Sequence, residues 1–202
     1  MKKNNSVKQG TDEWMQLRKG KITGITLKSI MGTPKARQES IYKILAERLT
    51  VGVENDEYEN AMDRGVRLEP DAIAAFELQT GKQVERTGFC EDDDNPLIAN
   101  SPDGLIGETE AIEAKCLGGK NHIKMWLTNE IPDEHYWQVV QYFVVNEKLE
   151  KLYFVGYNPN IPVHPLHIIE VLRDEAEVAN ARKSQEEFLS EAEEKLKLII
   201  KL

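Results

Sequence analysis

Asp103, Glu113 and Lys115 are the residues whose types and spacing suit chemistry: Ser101-Pro102-Asp103-Gly104 is followed, after a short acidic turn, by Glu113-Ala114-Lys115. Side chains two apart on a strand share a face, so Glu113 and Lys115 both look toward Asp103 while Ala114 looks into the core. Two carboxylates converging on one point repel unless a cation sits between them. Hard oxygen ligands with water positions left open suit Mg2+ or Mn2+. An ammonium beside them polarises an attacking water or meets charge developing on a phosphate. The competing reading is a solvated strand face with a surface ion pair worth about 0–1 kcal/mol. Pro102-Asp103 at hairpin distance favours the site.

Such a site needs a sheet behind it and helices around it. Leu97, Ile98 and Ala99, then Leu105 and Ile106, read as two short strands of a hairpin, with Glu113 and Lys115 on the strand after the turn Gly107-Glu108-Thr109-Glu110. Upstream, Asp12 caps a short helix through Trp14 and Leu17, and Ile22 to Met31 reads as a second. Between them, Arg18-Lys19-Gly20-Lys21-Ile22-Thr23 puts cations and a hydroxyl at a helix start, a seat for phosphate. Thr33 to Arg37 reads as a loop exposing Lys35 and Arg37, and Ile41, Ile44, Leu45 and Leu49 mark a helix from Ser40. The acidic stretch Thr50 to Glu59 is expected to cross the surface. A long helical pattern then runs to Thr80, with Pro70 predicting a kink or restart beside Glu69, an irregularity that a merely solvated glutamate would not need.

Gln83 to Cys90 reads as a strand, and Asp92-Asp93-Asp94 as a solvated turn, because consecutive carboxylates point in different directions. A helix from Glu134 to Asn146 carries Gln138, Gln141 and Tyr142 on one face and Trp137, Val140 and Val144 on another. A buried Gln there needs partners. Two strands, Leu152 to Tyr157 and His167 to Leu172, precede an amphipathic helix from Asp174; His164 and His167 are expected to face opposite ways rather than share a metal. The order of elements predicts one α/β domain over residues 1–202, a mixed central sheet flanked by helices.

Composition bounds the function. No run of apolar residues is long enough to cross a membrane, and the Lys-rich start lacks the apolar stretch of a secretory signal, so a cytoplasmic protein is expected. Cys90 and Cys116 have the spacing of neither a disulfide framework nor a zinc site. The net charge of −9 argues against a nucleic-acid partner, but residues 1–48 hold 11 Lys and Arg against 4 Asp and Glu, while the rest hold 15 against 31. That asymmetry points to an electropositive arm or groove on an acidic body.

Together these segments resemble the phage lambda-type alkaline exonucleases, within the PD-(D/E)xK nucleases and close to the YqaJ-like viral recombinases. The matching pieces are Trp14-x-x-Leu17-Arg18-x-Gly20-x-Ile22-Thr23, Arg64-Gly65 to Glu69-Pro70-x-Ala72, Ser101-Pro102-Asp103-Gly104-Leu105, Glu113-Ala114-Lys115-Cys116, Gln138-Val139 with Gln141-Tyr142, and Tyr153-Phe154 with Tyr157-Asn158-Pro159. The resemblance implies a processive 5′-to-3′ exonuclease on double-stranded DNA ends. It would leave 3′ single-stranded overhangs for a single-strand annealing recombination protein, and work as a homotrimeric ring. It also implies two Mg2+ ions on Asp103, Glu113, the Ala114 carbonyl and Glu69, with Lys115 on the water and Gln138 assisting. Arg18, Ser101 and Thr23 would receive the 5′-phosphate, Lys35 and Arg37 would grip the duplex, and Met62 would wedge the end base pairs. Gln138-Val139-Val140-Gln141 departs from the Gln-x-Gln often seen in that family, which leaves open which Gln serves, and Ile25 stands where a relative has a pocket serine, leaving Thr23 or Thr26 as substitutes. Two other readings remain open: a structure-specific or restriction-like endonuclease with the same metal site, and an end-binding protein that does not cut.

Overall fold

The computed structural model describes residues 1–49 and 59–200, with side chains except at 46–49 and 59–64. Residues 50–58 of the stretch expected to cross the surface lie outside the described residues, as does the Met62 side chain. In chain order the elements are β1 (Lys2–Asn4), α1 (Asp12–Arg18), α2 (Gly24–Ile30), α3 (Pro34–Leu49), α4 (Glu59–Thr80), β2 (Phe89–Glu91), β3 (Ala99–Asn100), β4 (Gly104–Ile106), β5 (Glu110–Lys115), α5 (Gly119–Thr128), α6 (Asp133–Val145), β6 (Lys151–Tyr157), β7 (Leu166–Leu172) and α7 (Glu175–Ile200).

The central sheet runs β4-β5-β6-β7. Gly107, at a φ of 63°, turns β4 into an antiparallel hairpin with β5. β5 and β6 are parallel, so the chain crosses over between them through α5 and α6. β6 and β7 close the sheet as an antiparallel pair. Alternation along the strands divides the core in two. Leu105, Ala111, Leu152 and Phe154 face α6, with α2, α3 and α7 beyond it, whereas Ile112, Ala114, Tyr153 and Val155 pack on Ala72, Ile73 and Phe76 of α4. Glu113, two residues from Ala111 on β5 and paired with Phe154, lies on the α6 side, and Ala114 is a core residue as expected.

The hairpin is not the one expected. Ala99 does not pair with β4; it joins the small sheet β1-β2-β3 opposite Glu91. On its other side the Ala99 N–H donates to the Ile22 carbonyl at 2.9 Å. Pro102 has no N–H to offer a ladder, so the strand ends and the chain passes to the other sheet at Asp103. Thr33 to Arg37 is likewise no loop: the Thr33 hydroxyl accepts the Ala36 N–H at 3.2 Å and Pro34 opens α3, the position where a missing N–H costs nothing. The strand expected over Gln83 to Cys90 shrinks to β2 plus a single bridge, Glu85 with Leu105. α4 runs through Pro70 as one helix.

Gly104, directly after Asp103, is there for space. A Cβ on it would lie 2.1 Å from Val84 Cγ1 and 3.1 Å from Ile112 Cγ2. Gly104→Ala is therefore expected to destabilise the fold by about 1–3 kcal/mol through overpacking, measured as a lower urea midpoint. An unchanged midpoint would show that Val84 yields without cost.

Candidate active site

Glu113 is 0 % exposed, and both its oxygens are held. Oε1 accepts from Gln138 Nε2 at 2.6 Å and pairs with Lys115 Nζ; Oε2 accepts from the Tyr142 hydroxyl. The same hydroxyl accepts the Asp103 N–H at 3.1 Å, while Asp103 Oδ2 accepts the Ala114 N–H at 2.8 Å. Asp103 and the Glu-Ala-Lys strand are thus stitched together, and α6 is the element behind them. Gln138 and Tyr142 stand one helical turn apart, so both reach the same carboxylate. α2 can begin against Gln138 because residue 24 is glycine: a Cβ there would lie 2.9 Å from Gln138 Cα.

The electrostatics are those of crowded acid. Burial, then the neighbouring Glu113 charge, pushes the Asp103 carboxyl well above the usual carboxylate range, even though Lys115 opposes the shift. Glu69 is raised by its own burial and by Glu113, against an ion pair with Arg86 at 2.7 Å. Burial works against the Lys115 ammonium, but Glu113 and Asp103 more than offset it and hold its pKa above the ordinary value. Tyr142, buried beside the same charges, is pushed well up and stays a hydroxyl donor.

The donor set is all oxygen. Among the described residues no three His, Cys, Asp or Glu side chains converge on one metal position. Mg2+ does not require that: it is commonly held by one or two carboxylates together with substrate phosphates and water. Asp103, Glu113 and the Ala114 carbonyl fit that requirement, and excess acid in a buried place is what a divalent cation would relieve. Glu69 feels the same charges, but its carboxylate is turned to Arg86.

Tyr142→Phe removes one donor from Glu113 and the acceptor for Asp103. A loss of about 1–3 kcal/mol of stability is expected from the unpaired buried groups. If the hydroxyl holds both acids in place, activity falls roughly tenfold in addition, as a displaced reacting group requires; wild-type rate and stability together would refute this role. His135 adds a pH effect. Burial first, then Lys115 and Lys28, lowers its pKa from 6.5 to about 4, so it is neutral in the fold and its approach to Glu134 at 3.6 Å is not an ion pair near neutral pH. The unfolded chain takes up this proton first, so the stability contribution is complete above about 6.5 and is lost as pH falls toward 4. With partial solvent access the loss is about 1–3 kcal/mol. His135→Gln should flatten the stability profile over that window in urea titrations, and an unchanged slope would exclude His135 as the cause.

A second cluster adjoins the first. Ser101 Oγ accepts from Trp14 Nε1 and from Arg18 Nη1, each at 2.9 Å, and Arg18 Nη2 lies 3.4 Å from Thr23 Oγ1. The Arg18 guanidinium lies over the Trp14 ring, 4.3 Å from its centroid. With both lone pairs of Ser101 Oγ engaged, its own O–H is left to donate. Of the other candidates, Lys35 is exposed at the start of α3, whereas Arg37 is drawn back onto α7, 3.4 Å from Glu191 and 3.5 Å from the Ser184 carbonyl. Gln141 does not touch the carboxylates: it is fully buried and donates to the Ala99 carbonyl at 3.1 Å. Tyr142, Trp14 and Arg86 gain contacts here that sequence reading did not assign. The spacing of Tyr142 from Gln138 and of Trp14 from Arg18, one helical turn in each case, was the available signal for the first two. Arg86 had none.

An aspartate entering a hairpin, a Glu-x-Lys strand beside it and helices on both faces of a mixed sheet define a PD-(D/E)xK-like fold. The chain belongs to the YqaJ-like viral recombinase domain family, which its residues 13–148 match. Among solved structures, it is similar to LHK-Exo, an alkaline exonuclease from Laribacter hongkongensis, with a TM-score of 0.88 and 29% identity over 95% of this chain and 97% of that one. The same enzyme in complex with dAMP gives a TM-score of 0.86 and 29% identity over 94% and 96%. A phage-related exonuclease from Haemophilus somnus 129PT, at 16% identity, a TM-score of 0.58 and 85% and 96% coverage, shares the fold alone. No curated protein matches the chain. No helix among the described residues is long and apolar enough to cross a membrane.

Proposed function

We propose that the protein is a Mg2+-dependent exonuclease that digests double-stranded DNA from 5′-phosphorylated ends in the 5′-to-3′ direction. One observation carries this reading: the Arg18-Ser101-Thr23 cluster and the acid pair are joined by Ser101-Pro102-Asp103, so a seat for a terminal phosphate lies beside groups suited to cutting the next bond. The family membership and the similarity to an alkaline exonuclease support it.

Asp103, Glu113 and the Ala114 carbonyl, with Glu69 released from Arg86, would hold two Mg2+ ions, which supply positive charge to the attacking and leaving oxygens of an in-line displacement. Lys115 remains an ammonium in this setting and stabilises charge developing on the phosphate. Gln138 holds Glu113 at one angle through Oε1, and Tyr142 does so through Oε2. Arg18, with the Ser101 hydroxyl and Thr23, binds the terminal phosphate and aligns the strand. Lys35, together with Arg37 if it leaves Glu191, would hold the duplex backbone in a salt-dependent way. Met62 would part the end base pair. Processive digestion by a homotrimeric ring, leaving a 3′ overhang to an annealing protein in the host cytoplasm, completes the reading, with residues 1–202 acting as one nuclease domain.

Digestion of linear duplex labelled separately at its 5′ and 3′ ends, with Mg2+ or EDTA and beside a closed circle, tests it. Early metal-dependent release of the 5′ label with the circle intact is the expected result. A nicked circle would replace this reading with an endonuclease, and end binding without any cutting would replace it with a binding protein.

A further inference from the structure

Neighbouring residues of α6 grip the two ends of one short strap. Gln141 Nε2 donates to the Ala99 carbonyl at 3.1 Å and lies 3.4 Å from the Ile22 carbonyl; the Tyr142 hydroxyl accepts the Asp103 N–H at 3.1 Å. Between them, Gln9 Nε2 donates to the Pro102 carbonyl at 2.9 Å. The strap from Ala99 to Asp103 is therefore held at three of its carbonyl or amide groups, and it carries Ser101 toward Arg18 and Asp103 toward Glu113.

The Gln141 contact is built at a cost. Gln141 and Gln185 are both 0 % exposed, and a buried amide is stabilising only when its partners are in place. Gln185 Nε2, from α7, donates to Gln141 Oε1 at 2.8 Å, which turns the Gln141 amino group toward the two carbonyls. An apolar pair would fill the same volume. What the amide adds is a set position for the Ile22 carbonyl, directly before Thr23, and for the Ala99 carbonyl, two residues before Ser101. α6 thus holds the phosphate seat with Gln141 and the acid pair with Gln138 and Tyr142, on one rigid element.

We propose that Ala99–Asp103 is a spacing strap, with Gln141 and Gln9 as positioning residues. They keep the terminal-phosphate seat at one distance from the acid pair, so that a single phosphodiester is presented and a single product length is released. Only Pro102 stands between Ser101 and Asp103, so their Cα atoms lie no more than about 7 Å apart. This inference rests on the exonuclease reading above.

The test uses the full chain with Mg2+ on linear duplexes bearing either a 5′-phosphate or a 5′-hydroxyl, reading product length and the ratio of initial rates. Wild type should release one product length and favour the phosphorylated end. Gln141→Leu should release mixed lengths and lose roughly tenfold of the end preference, since about 1 Å of misplacement can cost up to 10²-fold. Gln9→Ala, half-buried and touching the strap from outside, should move both readouts the same way by less, and it decides the matter if Gln141→Leu does not fold. Unchanged product length and preference in folded Gln141→Leu, or in Gln9→Ala where that variant decides, overturn the strap, as does equal slowing on both substrates with one product length. Wild type that releases nothing from linear duplex overturns the exonuclease reading and this one with it. Wild type that digests both ends equally overturns the strap's role at a phosphate seat while leaving the nuclease standing.

Discussion

Asp103→Asn is expected to stop digestion of linear duplex DNA, lowering the single-turnover rate by on the order of 10²–10³-fold or more, while leaving the fold as stable as wild type or slightly more so. The two halves of that result have one cause. Asp103 is buried beside a second buried acid, and both burial and the Glu113 charge oppose its ionised form. Asparagine has the same shape and can still accept the Ala114 N–H that Oδ2 accepts at 2.8 Å, so the strand contact survives while the repulsion goes. On the proposed function, Asp103 is an acid held against its own electrostatic cost, which is where loss of activity and gain of stability coincide. Release of the 5′ label and a urea melt on the same preparation check both halves. Activity within tenfold of wild type would remove Asp103 from the site; a stability loss of more than about 2 kcal/mol would show that the carboxylate is structural.

Arg18→Ala is expected to abolish the advantage of a 5′-phosphorylated end. A charge-assisted hydrogen bond to a phosphate is worth roughly 1.5–3 kcal/mol, so the ratio of initial rates on phosphorylated and unphosphorylated ends should drop about 10- to 150-fold. The loss should fall on the phosphorylated substrate and appear largely in KM, with the rate on a 5′-hydroxyl end changed only a few-fold. The guanidinium is held in one orientation: Trp14 stacks beneath it, Nη1 donates to Ser101 Oγ, and Nη2 lies 3.4 Å from Thr23 Oγ1. Lysine carries the charge but not the planar fork, so Arg18→Lys should recover only part of the preference. Equal loss on both substrates would contradict the role and leave Arg18 a structural residue at the foot of α1.

Much of this site is legible in the residue pattern alone. Glu113 and Lys115 face one way because side chains alternate on a strand, and Gln138 and Tyr142 share a face of α6 because four residues make about one helical turn. The basic, hydroxyl-bearing junction Arg18 to Thr23 reads as a phosphate seat from residue types. All of these follow from backbone geometry inside one element or across one turn, which the order of residues carries in full.

Pairings between distant elements are not legible in that way. Leu97 to Ala99 read as the partner of β4 because they are apolar and near in sequence, yet Ala99 is paired with Glu91 and Ile22. Only the folded arrangement separates Gln138, on Glu113, from Gln141, on the Ala99 carbonyl, although both amides lie on faces of α6 that meet the protein interior. The same holds for Glu69, turned to Arg86, and for Arg37, drawn onto α7 rather than left exposed. The amino-acid sequence by itself determined which groups are candidates for the chemistry and the local face each occupies. The tertiary structure alone decided which of them meet, because each buried donor and acceptor must find a partner among groups brought close only when the apolar faces of sheet and helices are buried together.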